Sequence, residues 1–317
     1  MTPESIKGKR ITIYGATSKI GSITARKAID QGAEVVAFVR NLAKAEPLKQ
    51  AGAEIVVGDI TNPEDVMKAV DGRAIDVTIN FAAVFNLSSD TSSSRAVNVN
   101  GEEYVLNANE QFYVPRHIFI STIGTQMEGP NAYRDSKLEA ESLVKNSKVQ
   151  EWLILRFADV IGTEDPNDLW NNPYVTKKVL GKRIGLAKIP SKKNAPFPYL
   201  GIDTATEATL KAITARPNQT ITILDGFDTV KGYLTAMANV NNIDFKLALP
   251  HSVMVPSLVV ANKTAESVGK HFPITPGAAK IVTSMPKLEN KVMQNELGIK
   301  PQTFEEVIYK ARERLKK

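Results

Sequence analysis

The sequence RITIYGATSKIG, residues 10–21, decides the fold of the N-terminal half of this chain. Its opening residues are rich in β-branched and aromatic side chains, which is typical of a buried strand. Gly15 and Gly21 then bracket a short loop that leads into a helix-like segment. Glycines permit a tight turn and a close backbone approach, and the amides at a helix start attract phosphate groups. The stretch therefore predicts a dinucleotide phosphate loop, and an ordinary strand-to-helix turn is the alternative.

Short β-rich runs alternate with amphipathic segments of helical length throughout the first half of the chain. The predicted strands are RITIYG, EVVAFV, EIVVG, DVTINFA, RHIFIS and EWLILRF. The predicted helices lie near residues 20–31, 42–51, 63–71, 95–111 and 132–148. Nearly all-apolar strands separated by helices predict an α/β fold with a Rossmann-type doubly wound parallel sheet that is covered on both faces. Ligands of such sheets bind at the carboxyl ends of the strands.

The second half of the chain has a different texture. From about residue 160, Pro- and Asn-rich loops replace the regular alternation, and one further clear strand, TITIL, follows. We therefore predict a dinucleotide-binding Rossmann domain in residues 1–165 and a smaller C-terminal α/β substrate lobe in residues 166–317. Some of the chain near residues 199–225 is expected to return to the Rossmann core.

Composition excludes several classes of function. The 317-residue chain contains no cysteine, so neither disulfides nor thiolate chemistry is available. Its three histidines are scattered and predict no metal site. The N-terminus runs directly into a strand without an apolar signal segment, and no apolar run is long enough to span a bilayer. We therefore expect a cytoplasmic protein that does not insert into a membrane.

The formal net charge of +6 raises the question of a nucleic-acid partner. No aromatic interleaving or recognised nucleic-acid motif accompanies the charge, so we expect none. The excess is most visible between residues 169 and 202, where there is no acidic residue. This basic segment is either a solvated face or a rim that attracts an anionic substrate or a phosphate. Its basic residues include Lys177, Lys178, Lys182, Arg183, Lys188, Lys192 and Lys193.

The residues after the second and third strands bear on the identity of a bound dinucleotide. Arg40 ends strand two, where an acidic residue would suit a free ribose 2′-hydroxyl and an arginine suits a 2′-phosphate. Arg40, assisted by Lys19, therefore favours NADP, with NAD as the second option. An arginine that merely ends an edge of the sheet is the alternative. After strand three, Asp59 and Ile60 are placed to meet the adenine, and the start of a helix explains the same residues.

The stretch FISTIGTQMEGPNAYRDSKLEAE, residues 119–141, carries the candidate catalytic groups. A strand ends at Ser121 and Thr122, and the helix that follows contains Tyr133 and, one turn later, Lys137. Residues four apart share a helical face, so a phenol and an ammonium would project into one pocket beside a strand-end hydroxyl. This group of side chains suits proton transfer to or from a hydroxyl or carbonyl oxygen.

A second pair, Tyr174 and Lys178, has the same spacing, so the order of the surrounding motifs must decide between the two. These motifs, in this order, resemble the extended short-chain dehydrogenase/reductase family, also called the NAD-dependent epimerase/dehydratase group, over nearly the whole chain. The similar segments are GATSKIG, VVGDI, NFAAV, RAVNVNGEEYVLNAN, FIST with YRDSK, LRFADVIG, YLGIDTATEA and ELGIKPQTFEEVI. Their register locates the catalytic helix at Tyr133. The chain departs from the family pattern at Ser18 (glycine), Asn80 (histidine), Glu102 (threonine) and Phe157 (proline).

The resemblance implies a role for each polar group near this helix. Tyr133 is the general acid/base, and Lys137 binds the nicotinamide ribose and lowers the pKa of the phenol. Thr122, rather than Ser121, polarises the substrate oxygen. Asn98 either organises a proton path or is a buried structural asparagine. The cofactor contacts that the resemblance implies are Gly15, Thr17, Ser18, Lys19, Ile20, Gly21, Arg40, Asp59, Ile60, Phe81, Ala82, Ala83, Tyr133, Lys137, Phe157 and Val160.

The resemblance also narrows the chemistry. Dehydratases of the family carry an Asp-Glu pair directly after the strand-end threonine, where this chain has Ile123 and Gly124. Sugar epimerases usually have an asparagine shortly after the Leu-Arg strand start, where this chain has Ala158 and Asp159. We therefore expect an NADP(H)-dependent oxidoreductase that interconverts a carbonyl and an alcohol on a small organic substrate, with Tyr133 as the acid/base.

Two other functions stay open at this point. One is a nucleotide-sugar epimerase, which the basic segment would suit. The other is a non-catalytic NADP-sensing regulator similar to the NmrA-like proteins, which commonly lack the tyrosine–lysine pair. The C-terminal third resembles the lobe of flavonol-reductase and hydroxysteroid-dehydrogenase relatives and predicts a mostly apolar pocket. Many relatives dimerise through the helices near 95–111 and 132–148, which leaves a homodimer as an open expectation.

Overall fold

The computed structural model describes residues 5–85, 92–126, 132–162, 174–179, 182–187, 194–240, 244–247, 260 and 288–314. Its strands are β1 (Arg10–Tyr14), β2 (Glu34–Val39), β3 (Glu54–Val57), β4 (Val77–Asn80), β5 (Arg116–Thr122), β6 (Glu151–Phe157), β7 (Asp159–Ile161), β8 (Tyr174–Val179), β9 (Lys182–Ala187), β10 (Pro196–Gly201), β11 (Gln219–Ile223), β12 (Gly226–Thr229) and β13 (Asp244–Leu247). Its helices are α1 (Lys19–Asp30), α2 (Leu42–Gln50), α3 (Pro63–Lys68), α4 (Ser92–Arg95), α5 (Gly101–Gln111), α6 (Ala132–Asn146), α7 (Ile202–Ala212), α8 (Val230–Val240), α9 (Lys291–Leu297) and α10 (Phe304–Arg314). A π-helical turn, Ala96–Asn100, joins α4 to α5, and a 3₁₀ turn, Ile123–Gln126, follows β5.

The central sheet has seven strands in the order β11-β6-β5-β4-β1-β2-β3, and all neighbours are parallel. Chain order reverses between β1 and β4, which lie side by side. This is the doubly wound Rossmann arrangement, so the predicted fold class is confirmed. Because the strands share one direction, the residues that follow them meet at one edge of the sheet, which we call the carboxyl edge.

Apolar residues cover both faces of this sheet, as the strand pattern predicts. On β1, Ile11 and Ile13 pack in a core with small residues of α1 and α7, such as Ala25 and Ala205. Tyr14 faces the opposite side and packs with residues of α3 and α5. Successive side chains of a strand point to opposite faces, so one short strand anchors helices on both sides.

Several element boundaries differ from the sequence prediction. The run DVTINFA ends as a strand at Asn80, because the Asn80 side chain accepts a hydrogen bond from the backbone N–H of Ala82 at 2.8 Å and turns the chain out of the sheet. The helix expected near 95–111 is divided by the π-helical turn at Ala96–Asn100. The helix expected near 63–71 ends at Lys68. None of these shifts moves a residue of the carboxyl edge to another strand.

The C-terminal half adds smaller sheets and one strand of the main sheet. β7, β10 and β12 form one three-stranded sheet, and β8, β9 and β13 form another. β11 is the edge strand of the central sheet beside β6. Phe197 of β10 stacks on Tyr233 of α8, with ring centroids 4.3 Å apart, in a separate apolar cluster.

Two sequence features fall in regions that are only partly described. Tyr174 and Lys178 lie on strand β8, where residues four apart do not share a helical face. Lys177, Lys182 and Arg183 also lie on β8 and β9, whereas Lys188, Lys192 and Lys193 of the basic segment are outside the described residues. Most of the apolar C-terminal segment 247–286 is outside them as well.

Candidate functional site

The turn between β1 and α1 lies directly against the residues that follow β4. Gly15 has a φ of +72°, a conformation that glycine adopts without strain. A Cβ atom on Gly15 would lie 2.7 Å from the backbone nitrogen of Ala82. The turn is therefore closed by backbone contact at the point where strand order reverses, which is where dinucleotides bind in this topology.

Ser18, which replaces a family glycine, is the N-cap of α1. Its side-chain oxygen accepts a hydrogen bond from the backbone N–H of Gly21 at 3.1 Å, and its φ of −69° requires no glycine. A Cβ on Gly21 would lie 2.7 Å from the Ser18 hydroxyl oxygen, so the close approach at this second glycine persists. The amide of Ile20, in the first turn, has no acceptor within the helix and is available to a phosphate oxygen. The loop thus fits a dinucleotide phosphate, with one amide already capped.

The ends of β2 and β3 bring Arg40 and Asp59 close together. Arg40 is exposed, and Asp59 accepts hydrogen bonds from the backbone N–H and the hydroxyl of Thr61 at 2.9 and 2.8 Å. These two bonds lower the pKa of Asp59, and the charge of Arg40 adds to the lowering. Asn62, rather than Asp59, caps α3 through the backbone N–H of Glu64. Asp59 therefore shapes the turn before α3 and stays at the carboxyl edge.

The remaining predicted cofactor residues also lie at or beside the carboxyl edge. Residues Thr17, Lys19 and Ile20 form the loop and the start of α1, and Ile60 is buried against Gly101 at the start of α5. After β4, Phe81 is buried, Ala82 is half-buried and Ala83 is exposed. The sequence thus predicts a set of residues that the fold assembles along one edge.

Lys137 is buried, with a side chain only 2% exposed. Its Nζ donates a hydrogen bond to the carbonyl of Ile120 at 2.6 Å and lies 4.1 Å from the centroid of the Phe119 ring. Burial lowers the pKa of Lys137 to about 8, against the opposing charges of Glu102 and Glu141. The ammonium is thus held directly below the carboxyl edge, near the end of β5.

Tyr133 lies one helical turn before Lys137 on α6 and is half-buried. Its ring packs edge-to-face on Phe85, with centroids 4.9 Å apart. Burial, and to a smaller extent the charge of Asp159, raises the pKa of Tyr133 to about 12. This direction is opposite to the lowering expected from Lys137, because desolvation of the phenolate is the largest effect on this group.

The hydroxyls of Ser121 and Thr122 have different surroundings. Ser121 is buried and donates a hydrogen bond to Glu141 at 2.6 Å. Thr122 is half-buried, and its hydroxyl oxygen accepts from the backbone N–H of Gly124 at 3.1 Å, which leaves its proton available to a substrate. This geometry agrees with the choice of Thr122 for the substrate-polarising role, which stays a prediction.

Asn98 lies in the π-helical turn and is buried. Its side chain bonds the backbone N–H and the carbonyl of Val84 at 2.8 and 3.0 Å and donates to the hydroxyl of Ser136 at 3.0 Å. Ser136 precedes Lys137 on α6, so Asn98 ties the chain after β4 to the candidate catalytic helix. These contacts give Asn98 a structural role. Its participation in a proton path stays a prediction.

The chain after β6 closes the site on the side of Thr122. Phe157 is buried and pairs with Thr122 across the sheet, and Val160 is half-buried on β7. Between them, Asp159 is half-buried, and burial raises its pKa to about 7. A carboxyl group near Tyr133 was not expected from the sequence, in which Asp159 served only to argue against an epimerase.

Sequence reasoning also missed a buried polar chain beneath this site. Asn80 donates to Glu102 at 2.6 Å, and the other oxygen of Glu102 lies 2.7 Å from Nε2 of His117. Asn80 and Glu102 are two of the positions at which the chain departs from the family pattern. The sequence did contain a signal for this network, because Asn80 replaces the histidine of the family pattern and Glu102 replaces its threonine in the same chain.

A family model for NAD(P)H-binding proteins matches residues 15–185. The chain belongs to the NAD(P)H-binding family. The match begins at Gly15 and includes the Tyr133–Lys137 helix, which agrees with the cofactor edge described above. The chain therefore contains an NAD(P)-binding domain, without a choice between NAD and NADP.

Similar proteins include both an enzyme and an assembly factor. The Photosystem II assembly factor Ycf39 of Cyanophora paradoxa is 30% identical over 137 residues, which are 43% of this chain and 41% of that protein. The 2-alkyl-3-oxoalkanoate reductase of Shewanella oneidensis is 23% identical over 215 residues, which are 62% of this chain and 54% of that protein. The matched segments thus span about half or less of the length of these curated relatives.

The fold is shared with a short-chain dehydrogenase/reductase superfamily protein from Agrobacterium tumefaciens, which superposes with a TM-score of 0.73 over 97% of each chain at 16% identity. The UDP-glucose 4-epimerase of Thermus thermophilus, in complex with NAD, superposes with a TM-score of 0.75 over 97% of this chain and 99% of that chain. At 18% identity this likeness shows a common fold. Within the described ranges, no helix has the length and apolar character needed to cross a membrane, and no group of three or more His, Asp or Glu residues could hold a metal ion.

Replacing Lys137 with methionine is expected to stabilise the protein at pH 7 by about 1–2 kcal/mol. A lysine whose pKa is about 8 when folded and about 10.5 when unfolded costs on the order of 3 kcal/mol at neutral pH. Loss of the hydrogen bond to Ile120 offsets about 1 kcal/mol of the stabilisation that Lys137→Met would otherwise give.

The sign of the pH dependence follows from the lowered pKa of Lys137. The unfolded chain binds more protons between pH 8 and 10.5, so this group makes the wild type more stable as pH rises through that window. Urea unfolding at pH 7 and pH 10.5 measures both effects, and the advantage of Lys137→Met should vanish at the higher pH. A less stable Lys137→Met at pH 7 would contradict the prediction.

Proposed function

We propose that this protein is an NADP(H)-dependent oxidoreductase that interconverts a carbonyl and an alcohol on a small organic substrate. The observation that carries the proposal is the position of Tyr133 and Lys137 on α6, next to Thr122 at the end of β5 and to the point where strand order reverses. This edge is the cofactor side of an NAD(P)H-binding protein, so a proton donor there lies beside the reacting ring of the dinucleotide.

Each residue then has a defined task in carbonyl reduction. The bound dinucleotide supplies the hydride. The Tyr133 phenol, which is protonated at neutral pH, donates its proton to the developing alkoxide oxygen. The Thr122 hydroxyl donates a hydrogen bond to the same oxygen, and the Lys137 ammonium binds the nicotinamide ribose. The protonated phenol is the form that acts as the acid in reduction, and the same group takes the proton back in oxidation.

The test is NADPH oxidation by the purified protein over a panel of ketones and aldehydes, including 3-oxo acids and cyclic ketones. The 23% identical reductase supports the inclusion of 3-oxo acids in the panel. Turnover of at least one carbonyl compound is expected. NADPH binding without consumption on any member would contradict an oxidoreductase.

Arg40→Ala is expected to weaken NADPH binding by about 10- to 100-fold and to leave NADH binding nearly unchanged. The exposed guanidinium beside Asp59 is proposed to hold the 2′-phosphate, and a charged hydrogen-bond partner is worth about 1.5–3 kcal/mol. Fluorescence titration of both cofactors measures the two losses. Lys49→Ala, which removes an exposed charge at the end of α2, is the matched control. Equal losses of NADPH and NADH affinity would refute the 2′-phosphate contact.

The second candidate is a non-catalytic cofactor-binding protein that acts in assembly. The similarity to Photosystem II assembly factor Ycf39 favours it, because that segment is more nearly identical than the segment shared with the reductase. Retention of Tyr133, Lys137 and Thr122 favours the enzyme. Tight NADPH binding, no turnover and no effect of Tyr133→Phe would support assembly instead.

A nucleotide-sugar epimerase is a weaker third candidate. The shared fold with an NAD-bound epimerase carries no substrate with it. Ala158 and Asp159 also stand where sugar epimerases usually have an asparagine. A homodimer is also proposed from the family resemblance, through α5 and α6, and light scattering tests it directly.

A further inference from the structure

Glu102 is a fully buried carboxylate at the start of α5. One oxygen accepts from Asn80 at 2.6 Å, and the other lies 2.7 Å from Nε2 of His117. Nδ1 of His117 lies 2.8 Å from the hydroxyl of Thr78, which accepts a hydrogen bond from Asn109 at 2.7 Å. The Thr78 hydroxyl can donate to Nδ1 while it accepts from Asn109, and in that tautomer the Nε2–H of His117 points at Glu102.

In this arrangement both side-chain oxygens of Glu102 accept hydrogen bonds, as the oxygens of a carboxylate do. The Asn80 amide and the His117 ring are the groups that hydrogen-bond to Glu102 among the described residues. A buried carboxylate with neutral partners leaves a net negative charge in the interior. Such a charge acts strongly on any cation buried near it.

Lys137 is that cation. Asn80, which contacts Glu102, is paired with Phe119 across β4 and β5. The Lys137 ammonium lies over the Phe119 ring, so the two charges occupy the same face of adjacent strands. Glu102 accordingly opposes the effect of burial on Lys137.

Glu141, the other carboxylate near Lys137, is already paired. It accepts two hydrogen bonds from the guanidinium of Arg156, at 2.8 and 2.5 Å, and Lys145 lies 3.6 Å away. Two cations therefore balance its charge. Of the two carboxylates, Glu102 is therefore the one whose negative charge is balanced by Lys137.

The same carboxylate also supports the cofactor edge. Asn80, held by Glu102, accepts from the backbone N–H of Ala82. Ala82 in turn lies against Gly15 at the closed turn of the phosphate loop. One buried group is thus linked both to Lys137 and to the phosphate loop.

We propose that Glu102 is a positioning residue that keeps the buried Lys137 protonated for the nicotinamide ribose and, through Asn80, fixes the turn at Phe81–Ala83. The proposal rests on the cofactor-binding part of the proposed function and not on turnover. Because the protonated form of Lys137 binds the ribose, cofactor affinity should fall as pH rises through the pKa of Lys137. The charge of Glu102 raises that midpoint. Removing its charge moves that midpoint to lower pH.

The experiment compares wild type, Glu102→Gln and Glu103→Gln by NADPH fluorescence titration between pH 6.5 and 9.5. Glutamine has the same shape as glutamate and removes the charge. It accepts from Asn80 and donates to Nε2 of His117 once the ring hydrogen moves to Nδ1, where the Thr78 hydroxyl can accept it. Glu103 is exposed on the same helical turn, and Glu103→Gln removes the same charge outside the core. In Glu102→Gln the loss of affinity with rising pH should begin about one pH unit lower, and the Kd at pH 8 should rise about 3- to 10-fold. Glu103→Gln should behave as wild type.

Two further readouts separate the proposal from a merely structural role. Glu102→Asp keeps the charge, so its NADPH affinity should change with pH at the wild-type midpoint. Asn80→Ser should weaken NADPH binding equally at every pH. In the cofactor-free protein, the rise of unfolding free energy with pH that Lys137 causes should begin at lower pH in Glu102→Gln. An unchanged midpoint and an unchanged stability profile in Glu102→Gln would overturn the proposal.

The outcomes also distinguish this proposal from the proposed function. Absence of turnover on every carbonyl compound, with a shifted binding midpoint, would reject the oxidoreductase and keep the role of Glu102. If Glu102→Gln does not unfold cooperatively, Glu102→Asp and Asn80→Ser decide. A shifted midpoint in the charge-retaining Glu102→Asp, together with the same shift in Asn80→Ser, would overturn the charge effect.

Discussion

Tyr133→Phe will lower kcat by about 10²- to 10⁴-fold on the best carbonyl substrate, with little change in NADPH affinity. The variant removes the hydroxyl that donates the proton and keeps the ring that packs on Phe85 at 4.9 Å. The fold is therefore expected to survive, and the loss falls on the chemical step. Steady-state kinetics and NADPH titration of the same preparation separate the two parameters.

Tyr309→Phe is the matched control for this loss. Tyr309 is 66% exposed on α10, so removal of its hydroxyl should leave kcat unchanged. Equal rates for Tyr133→Phe and wild type would reject Tyr133 as the proton donor. A similar loss in both variants would point to a preparation effect and would also reject the assignment.

Gly15→Ala will destabilise the protein by about 2–5 kcal/mol and abolish measurable NADPH binding. An alanine at φ +72° costs about 1–2 kcal/mol, and its Cβ would lie 2.7 Å from the Ala82 nitrogen. Backbone cannot move aside as a flexible side chain can, so overpacking adds about 1–3 kcal/mol and opens the phosphate loop. Urea unfolding and cofactor titration measure the two effects.

Gly8→Ala isolates the part that comes from the contact. Gly8 has a φ of +78°, and a Cβ there would meet nothing within 4 Å. Its substitution should cost only the conformational part, about 1–2 kcal/mol, and leave NADPH binding intact. If both variants lost the same stability and bound NADPH alike, the closed turn between β1 and β4 would have no energetic role.

The architecture was predictable because its signals are local. RITIY and EVVAFV are apolar strands followed by helical periodicity, and a sheet of such units has few ways to form. Strand ends then bring Gly15, Arg40 and Thr122 to one edge without any knowledge of contacts. The boundaries were less predictable, since the end of β4 depends on the Asn80 side chain and the helix near 95–111 contains a π-helical turn.

The electrostatics of the site were not predictable from spacing. The four-residue separation of Tyr133 and Lys137 indicated a shared face, but it could not show that burial would raise the pKa of the phenol and lower that of the ammonium. Burial sets both directions, while the charge of Asp159 adds to the rise in the pKa of Tyr133 and that of Glu102 opposes the fall in the pKa of Lys137. Solvation is a property of the assembled core, and a linear pattern does not contain it.

The hydrogen bond between Asn80 and Glu102 has an evolutionary consequence. A threonine at position 102 alone would leave the side chains of Asn80 and His117 without their shared carboxylate partner. A histidine at position 80 alone would place a second imidazole against the same carboxylate. Each single reversion passes through a core with an unmatched polar group, which costs about 1–3 kcal/mol. The two positions are therefore epistatic, and descendants of this sequence will exchange both residues together or neither.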